Sequence, residues 1–393
     1  MEHWGRIKTV ESSGSEIKQS QEKWDLKIEL FKMERWQSTH ENEVRCNLTE
    51  SGVHPLVVGD LVGDELEDLR NTRLGYGYTN GTPELRERIS EIYKERTPRN
   101  VLVTNGSSEA NFVSIWHLVN RGDEIALMLP NYMQIWGLAR ALGAKVKPFR
   151  LQGKRDWSLD IEKLKRTVNR KTKLIVVCNP NNPTGSILSA SDMRAIRDLA
   201  HERRAWILSD EVYQGAEIDG PVSQSFLDLY DRTLVTSGLS KAYGLPGLRI
   251  GWVAGPESMI ARLWSCRDYT TIGLSAVSDL LARLALKKRK QILDRTRGIL
   301  RANLPILEDW ANHSGVFSFV RPRAGAIAFV KYDLKYSTTE FAGRLREQKS
   351  VLVVPGSHFG VDGYLRIGYG SEHHHLRTGL DLISQFAHEQ SHK

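Results

Sequence analysis

The order of elements in this chain predicts an α/β fold: a large domain built on a mostly parallel, doubly wound sheet, and a smaller α+β domain. Three observations carry that expectation. From about residue 55 to 275, short β-branched runs alternate with amphipathic helical segments, the pattern of strands joined by crossover helices. Beyond that stretch the pattern changes to a long helical run and then strands and helices in mixed order. The length, 393 residues, is enough for two domains sharing one large core.

Taken in order, residues 1–32 are polar and charged and read as an N-terminal extension. The large domain is expected over 61–275. Its strands are expected at Asn100–Thr104, Glu124–Leu129, Lys145–Arg150, Leu174–Cys178, Ala205–Ser209, Thr233–Ser237 and Ile250–Ala254, with helices such as Pro83–Glu95, Glu109–Val119 and Ser191–Glu202 between them. The small domain is expected to combine 33–60 with 276–393. A helical stretch over Ile260–Asn312, broken at Gly273, leads to strands at Phe317–Val320 and Ala326–Tyr332. A helix at Thr338–Gln348, strands at Val351–Val354 and Tyr364–Tyr369, and a final helix complete it.

Composition narrows the function. The formal charge of +8, from 55 basic and 47 acidic residues, describes a solvated basic surface with room for anionic ligands. No basic block is interleaved with aromatics, which argues against nucleic acid. Cys46, Cys178 and Cys266 are odd in number and far apart, so neither a disulfide framework nor a zinc site is expected, and a reducing compartment is. Met1–Arg6 lacks an apolar signal core, and no run approaches the roughly 18 apolar residues of a membrane span. The reading is cytoplasmic. Two decoys are set aside. Gly75–Gly81 has the wrong spacing and no preceding strand for a dinucleotide fingerprint. His373, His374 and His375 are consecutive, so on a helix they fan out by about 100° each and do not converge on a metal.

The residues with chemistry fall at the ends of expected strands, where ligands bind in a doubly wound sheet. Gly106-Ser107-Ser108 joins a strand to a helix and offers free N–H groups, hydroxyls and a helix dipole, a cup for phosphate; simple capping by serine is the alternative. Tyr132 follows Leu129 and can lay its ring on a flat heteroaromatic, or simply fill a core or rim position. Asn179-Pro180-Asn181-Asn182-Pro183-Thr184-Gly185 is a loop stiffened by two prolines, with amides at its tip. Asp210 ends a buried strand, where a carboxylate costs free energy unless paired; a protonated ring nitrogen would pair it, and a helix cap is the alternative. Tyr213 lies three residues on and can donate to a phenolate. Lys241 sits in the glycine-rich run Ser237–Arg249, a setting suited to an amine that forms a Schiff base with an aldehyde cofactor, and Arg249 can grip its phosphate.

These segments, above all Asn179–Gly185, Asp210-Glu211-Val212-Tyr213 and Ser240–Gly251, resemble in order and spacing the class I/II aminotransferase family of fold type I pyridoxal-phosphate enzymes, over about Gly75 to Gly370. The resemblance implies pyridoxal 5'-phosphate as cofactor, Lys241 as the Schiff-base lysine that moves the α-proton, and Asp210 on the pyridinium nitrogen. It implies Asn182 and Tyr213 on the phenolic oxygen, Tyr132 against the ring, and Gly106, Ser107, Ser108 and Arg249 around the phosphate. Tyr76 would reach a phosphate in the neighbouring subunit, making the enzyme a homodimer, and Arg366 would fork onto the substrate α-carboxylate. One departure stands out: Gly238 occupies a position where the family often has a hydroxyl, leaving Ser237 or Ser240 to substitute. The implied reaction exchanges an amino group between an amino acid and a 2-oxo acid. The alternative is elimination or cyclisation from the same carbanion. Asn47–Pro55 resembles the substrate loop of capreomycidine synthase-like enzymes, which cyclise a modified arginine; in that likeness Gly52 approaches the substrate carboxylate and His54 its side chain. A ligand-sensing regulator built on the same fold is a third class, for which the segment before the family-like region is too short.

Overall fold

The structure is a computed structural model that describes residues 28–391; the expected polar extension lies almost wholly outside the described residues. Its centre is an eight-stranded sheet in the order Val101–Asn105, Ile250–Ala254, Thr233–Gly238, Trp206–Asp210, Thr172–Cys178, Glu124–Leu129, Lys145–Gln152, Ser158–Leu159. Only Ile250–Ala254 and Ser158–Leu159 run against the others. Both faces of the sheet are covered, so its strands are apolar on both sides. Leu127, Val176, Leu208 and Val253 face a cluster that includes Val113 of the helix Gly106–Leu118. Met128, Ile175, Val177 and Ile207 face another that includes Met193 and Ile196 of the helix Ala190–Arg203. This is the doubly wound sheet that the alternation predicts.

Four neighbouring parallel strands end side by side at Gly238, Asp210, Cys178 and Leu129. The strand order reverses between Thr172–Cys178 and Glu124–Leu129, and a crevice opens at such a point. Asn181 closes its base by donating from Nδ2 to the Pro130 carbonyl at 3.1 Å, tying together the loops that leave these two strands.

The smaller α+β part is a four-stranded antiparallel sheet, Phe317–Phe319, Ile327–Tyr332, Tyr364–Gly368 and Val354–Pro355, with the helices Thr338–Lys349 and His373–Ser391. Two expectations need correction. The helical stretch over Ile260–Asn312 breaks around Gly273 as expected, where Ser275 caps a new helix, but it turns again at Lys288, giving three helices, Glu257–Arg267, Ala276–Lys287 and Arg289–Ser314. The expected strand Val351–Val354 splits: Val351–Leu352 pairs in parallel with Cys46–Asn47, whereas Val354–Pro355 joins the four-stranded sheet.

The segment before Cys46 forms a helix, Lys32–His40, that sequence reading did not anticipate. Trp36 anchors it by donating from Nε1 to the Val353 carbonyl at 2.9 Å. Its start reaches the other side of the crevice, where Phe31 packs edge-on against Tyr132, ring centroids 5.0 Å apart.

Candidate active site

A cleft of about 530 Å³ lies at the carboxyl ends of the central strands. Among the expected site residues, Ser107, Ser108, Tyr132, Asn182, Asp210, Tyr213, Ser240, Lys241, Arg249 and Arg366 all line it. Residues more than 250 positions apart thus converge on one space. A larger groove between the helices Arg289–Ser314 and His373–Ser391 shares none of these side chains.

At one end three glycines bring backbones together. Gly238 pairs with Gly251 across two strands, and a Cβ on Gly238 would meet the Ile250 carbonyl oxygen at 2.9 Å. A Cβ on Gly251 would run into the backbone of Gly106 and Ser107, and one on Gly106 into the Arg249 guanidinium. Gly106 has φ +78, a conformation that favours glycine. The departure at Gly238 therefore has a steric cause. Of the two hydroxyls that could substitute, Ser240 lines the cleft, while Ser237 donates to the Glu211 carbonyl at 3.2 Å.

On the floor, Asp210 is buried, 6% exposed, and both hydrogen bonds to its carboxylate come from neutral groups: the Val212 N–H at 3.2 Å and Asn111 Nδ2 at 3.5 Å. Burial pushes its carboxyl up to about 6, against the pull of those two donors. Asn111 is held in turn by Thr236, whose hydroxyl donates to its Oδ1 at 2.8 Å. Sequence reasoning passed over Asn111, although it lies one helical turn beyond Ser107 and so on the same face. Tyr213 is also buried, which raises its phenol, and Gly325 allows its ring to be approached within 3.0 Å of a Cβ position.

The opposite wall belongs to Arg366, 1% exposed. The strand Tyr364–Gly368 buries Leu365 and Ile367 on one face and so turns Arg366 to the other. Its guanidinium donates to Asn182 Oδ1 at 3.1 Å, Gln37 Oε1 at 3.3 Å and the Thr49 carbonyl at 2.7 Å. Its Nε is buried without a partner, and no carboxylate is bonded to it among the described residues. The proline-stiffened loop is fixed to the small sheet, the N–H groups of Arg323 and Ala324 donating to the Gly185 carbonyl at 2.8 and 3.0 Å, which sets Asn182 against Arg366.

Four carboxylates line the cleft. Besides Asp210 they are Glu34 and Glu41, from the unanticipated helix and its end, and Glu50. Glu34 accepts from the Tyr132 hydroxyl at 2.8 Å. Glu50 Oε1 accepts from Lys241 Nζ at 2.8 Å and from the N–H groups of Ser51 and Gly52 at 2.8 and 3.0 Å. The Glu50 side chain is 51% exposed; partial desolvation in the cleft raises its carboxyl, but the lysine ammonium and the two amides outweigh it and hold it at about 2. Glu34, Gln37 and Glu41 recur at a helical spacing on one face, a polar stripe that was the available signal.

Besides Gly106, whose backbone forms the cradle under Arg249, three expected contributors lie outside the lining. Gly52 sits behind it, where a Cβ would meet the Ser240 carbonyl oxygen at 3.1 Å. His54 faces away, its Nδ1 2.9 Å from an Arg295 nitrogen. Tyr76 is 92% exposed, beside Leu74 at 86%. His373, His374 and His375 begin the last helix, with His375 Nε2 3.2 Å from the Asn47 carbonyl. Among the described residues no group of three His, Cys, Asp or Glu is placed to hold a metal ion, and no helix is long and apolar enough to cross a membrane.

An amine, a buried carboxylate with neutral partners and a buried guanidinium around one crevice of a doubly wound sheet define a fold type I pyridoxal-phosphate enzyme. Solved structures agree. A PLP-dependent aminotransferase from Streptococcus suis superposes with a TM-score of 0.89 at 34% identity, covering 93% of this chain and 99% of that one. Aminotransferase class I and II matches residues 54–383, and the chain belongs to that family. Among curated relatives, capreomycidine synthase of Streptomyces vinaceus is 31% identical, over 90% of this chain and 92% of its own. The (5-formylfuran-3-yl)methyl phosphate transaminase of Methanocaldococcus jannaschii is 28% identical, over 83% and 87%. The protein is a pyridoxal-phosphate-dependent transferase. Its residues fit that cofactor: Ser107, Ser108, Ser240 and Arg249 line the cleft beside the glycine cradle, a set suited to a phosphate, and among the described residues no cation is bonded to the Asp210 carboxylate.

Proposed function

We propose that the cleft exchanges an amino group between an α-amino acid and a 2-oxo acid. The observation that carries this reading is Arg366, a buried guanidinium to which no carboxylate is bonded among the described residues and which opens on the same cleft as the Lys241 amine. Such a cation is costly unless an anion joins it, and a substrate carboxylate matches its fork.

Bound pyridoxal phosphate supplies an electron sink that makes the substrate α-proton acidic. The chain's own residues do the rest. Lys241 holds the cofactor covalently and, once displaced, moves the α-proton. Asp210 faces the ring nitrogen and keeps it protonated. Asn182 and Tyr213 would hold the phenolic oxygen, and Tyr132 would supply an apolar face for the ring. Ser107, Ser108, Ser240 and Arg249 bind the phosphate over the backbone of Gly106. Gly52 sets the substrate loop against the lysine segment. The exposed Tyr76 reaches the phosphate of a second subunit, so the working unit is a homodimer, and the setting is cytoplasmic. Glu34 and Glu41 would repel a second carboxylate, so neutral or basic side chains suit the cleft better than aspartate or glutamate.

A second reading, elimination or cyclisation, is favoured by one observation: Glu50 places an extra acid–base group beside Lys241. Borohydride trapping followed by mass spectrometry tests the shared core. The adduct should form at Lys241 and vanish in Lys241→Ala; trapping elsewhere or nowhere overturns the assignment. Product formation that requires a 2-oxo acid then identifies the transaminase. Turnover with no 2-oxo acid identifies the lyase or cyclase.

A further inference from the structure

We propose that Glu50 is a catalytic acid–base residue that takes protons from the incoming substrate ammonium and passes them to the Lys241 nitrogen as that lysine is displaced. The inference rests on the reading above, in which Lys241 holds the cofactor and Arg366 the substrate carboxylate.

The argument is one of position. Arg366 donates to the Thr49 carbonyl at 2.7 Å, and the carboxylate of the next residue, Glu50, accepts from Lys241 Nζ at 2.8 Å. Glu50 therefore stands between the cation that takes the carboxylate and the amine that must be replaced. In an α-amino acid both groups hang on one carbon. A substrate held by Arg366 and reaching for the carbon that carries Lys241 brings its nitrogen beside Glu50.

The carboxylate does not need Lys241 to stay there. Ser51 and Gly52 donate backbone N–H groups to the same oxygen at 2.8 and 3.0 Å. The loop is braced by the Thr49 N–H on Asn47 Oδ1 at 2.9 Å and by the contact of Gly52 with the Ser240 backbone. When Lys241 becomes covalently bound, Glu50 keeps its place and loses its ammonium partner. The acid-strengthening contact is then lost, which makes the carboxylate a better base. The other charged or titratable groups on the cleft are engaged or turned elsewhere. Asp210 is bonded to Val212 and Asn111, Glu34 to Tyr132, and Arg366 to Asn182 and Thr49. Arg249 lies over Gly106, Tyr213 is buried, and Glu41 belongs to the end of the helix Lys32–His40.

The proton count closes. As the substrate nitrogen forms its bond to the cofactor carbon it gives up two protons. As the bond from that carbon to the lysine nitrogen breaks, Lys241 gains two. No electrons are exchanged with an outside reagent, and Glu50 starts and ends ionised.

The test compares wild-type and Glu50→Gln holoenzymes in stopped-flow absorbance. Glutamine keeps a carbonyl oxygen for the Ser51 and Gly52 amides. L-alanine serves as a probe whose amine is an ammonium at pH 7, and hydroxylamine as one whose nitrogen is neutral there. General acid–base catalysis is worth about 10²–10⁴-fold, so the variant should exchange with L-alanine at least about tenfold more slowly. Hydroxylamine skips the deprotonation of an ammonium but still hands its protons to Lys241, so it should be slowed clearly less than L-alanine. A difference under tenfold with L-alanine, or equal slowing with both probes, overturns the proposal. A second readout needs no turnover. Calorimetric affinity for propionate, which has the carboxylate and lacks the amine, should be equal or tighter in the variant; weaker binding would make Glu50 a structural residue and overturn the proposal as well. If the underlying reading fails instead, borohydride leaves no cofactor on Lys241 in wild type.

Discussion

Replacing Asp210 by Asn should stabilise the cofactor-free protein, and the size of the effect can be worked from the floor of the cleft. The carboxyl titrates at about 6 in the folded protein against an ordinary 3.8, a gap of about two units caused chiefly by burial. At 1.36 kcal/mol per unit that is about 3 kcal/mol. The sign follows from proton binding: between these two values the folded chain holds the proton and the unfolded chain has lost it. The group's contribution to stability is therefore complete below 3.8, falls as the pH rises, and is lost above about 6. Asparagine keeps an acceptor for the Val212 N–H and carries no charge, so it escapes this loss. Urea denaturation of both cofactor-free proteins should find Asp210→Asn more stable by about 3 kcal/mol at pH 8 and nearly equal at pH 4. Glu211, which burial pushes up to about 7, titrates in both proteins and leaves the comparison. Cofactor should reverse the order at pH 8, because only the aspartate can meet a pyridinium. A variant no more stable at pH 8, with an unchanged pH slope, would refute the reasoning.

Two further outcomes are expected. Arg366→Lys keeps a charge but loses the planar fork and its reach to both Asn182 and Thr49, so kcat/KM should fall by about 10²-fold, mainly through KM, equivalent to about 3 kcal/mol; steady-state kinetics with an undiminished kcat/KM would remove Arg366 from the substrate site. Gly251→Ala drives a methyl group into the Gly106–Ser107 backbone, which should cost about 1–3 kcal/mol by denaturation and weaken cofactor retention in dialysis; wild-type values for both would show that the close approach is unimportant.

The central sheet was legible because its strands are short, apolar on both faces and separated by helices, and because its ends carry rare combinations of residues. Glu124–Leu129 and Ile250–Ala254 agree with expectation to the residue. The Lys241 run and the Asn179–Gly185 loop announced the site through local sequence, since each needs glycine or proline for its shape. What escaped notice depends on tertiary packing. Val351–Val354 reads as one strand because neighbouring residues do not record that they pair with different partners. The helix Lys32–His40 is mostly polar and is held by Trp36 and Phe31, whose partners lie about 300 and 100 positions away. Glu50 sits in Asn47–Pro55, a segment whose likeness to a substrate loop singled out Gly52 and His54 only; its meaning comes from a lysine 191 residues later.

The two ends of the cleft differ in what they can tolerate. At Gly238 and Gly251 almost any replacement collides with backbone, and at Gly106 it runs into the Arg249 guanidinium. Across from them, Glu34, Gln37 and Glu41 project from a single helix of nine residues and its end, and none of them is needed to hold the central sheet together. One end is cast and the other is fitted. New substrate preferences, whether acquired in nature or in the laboratory, have their cheapest route through that short helix.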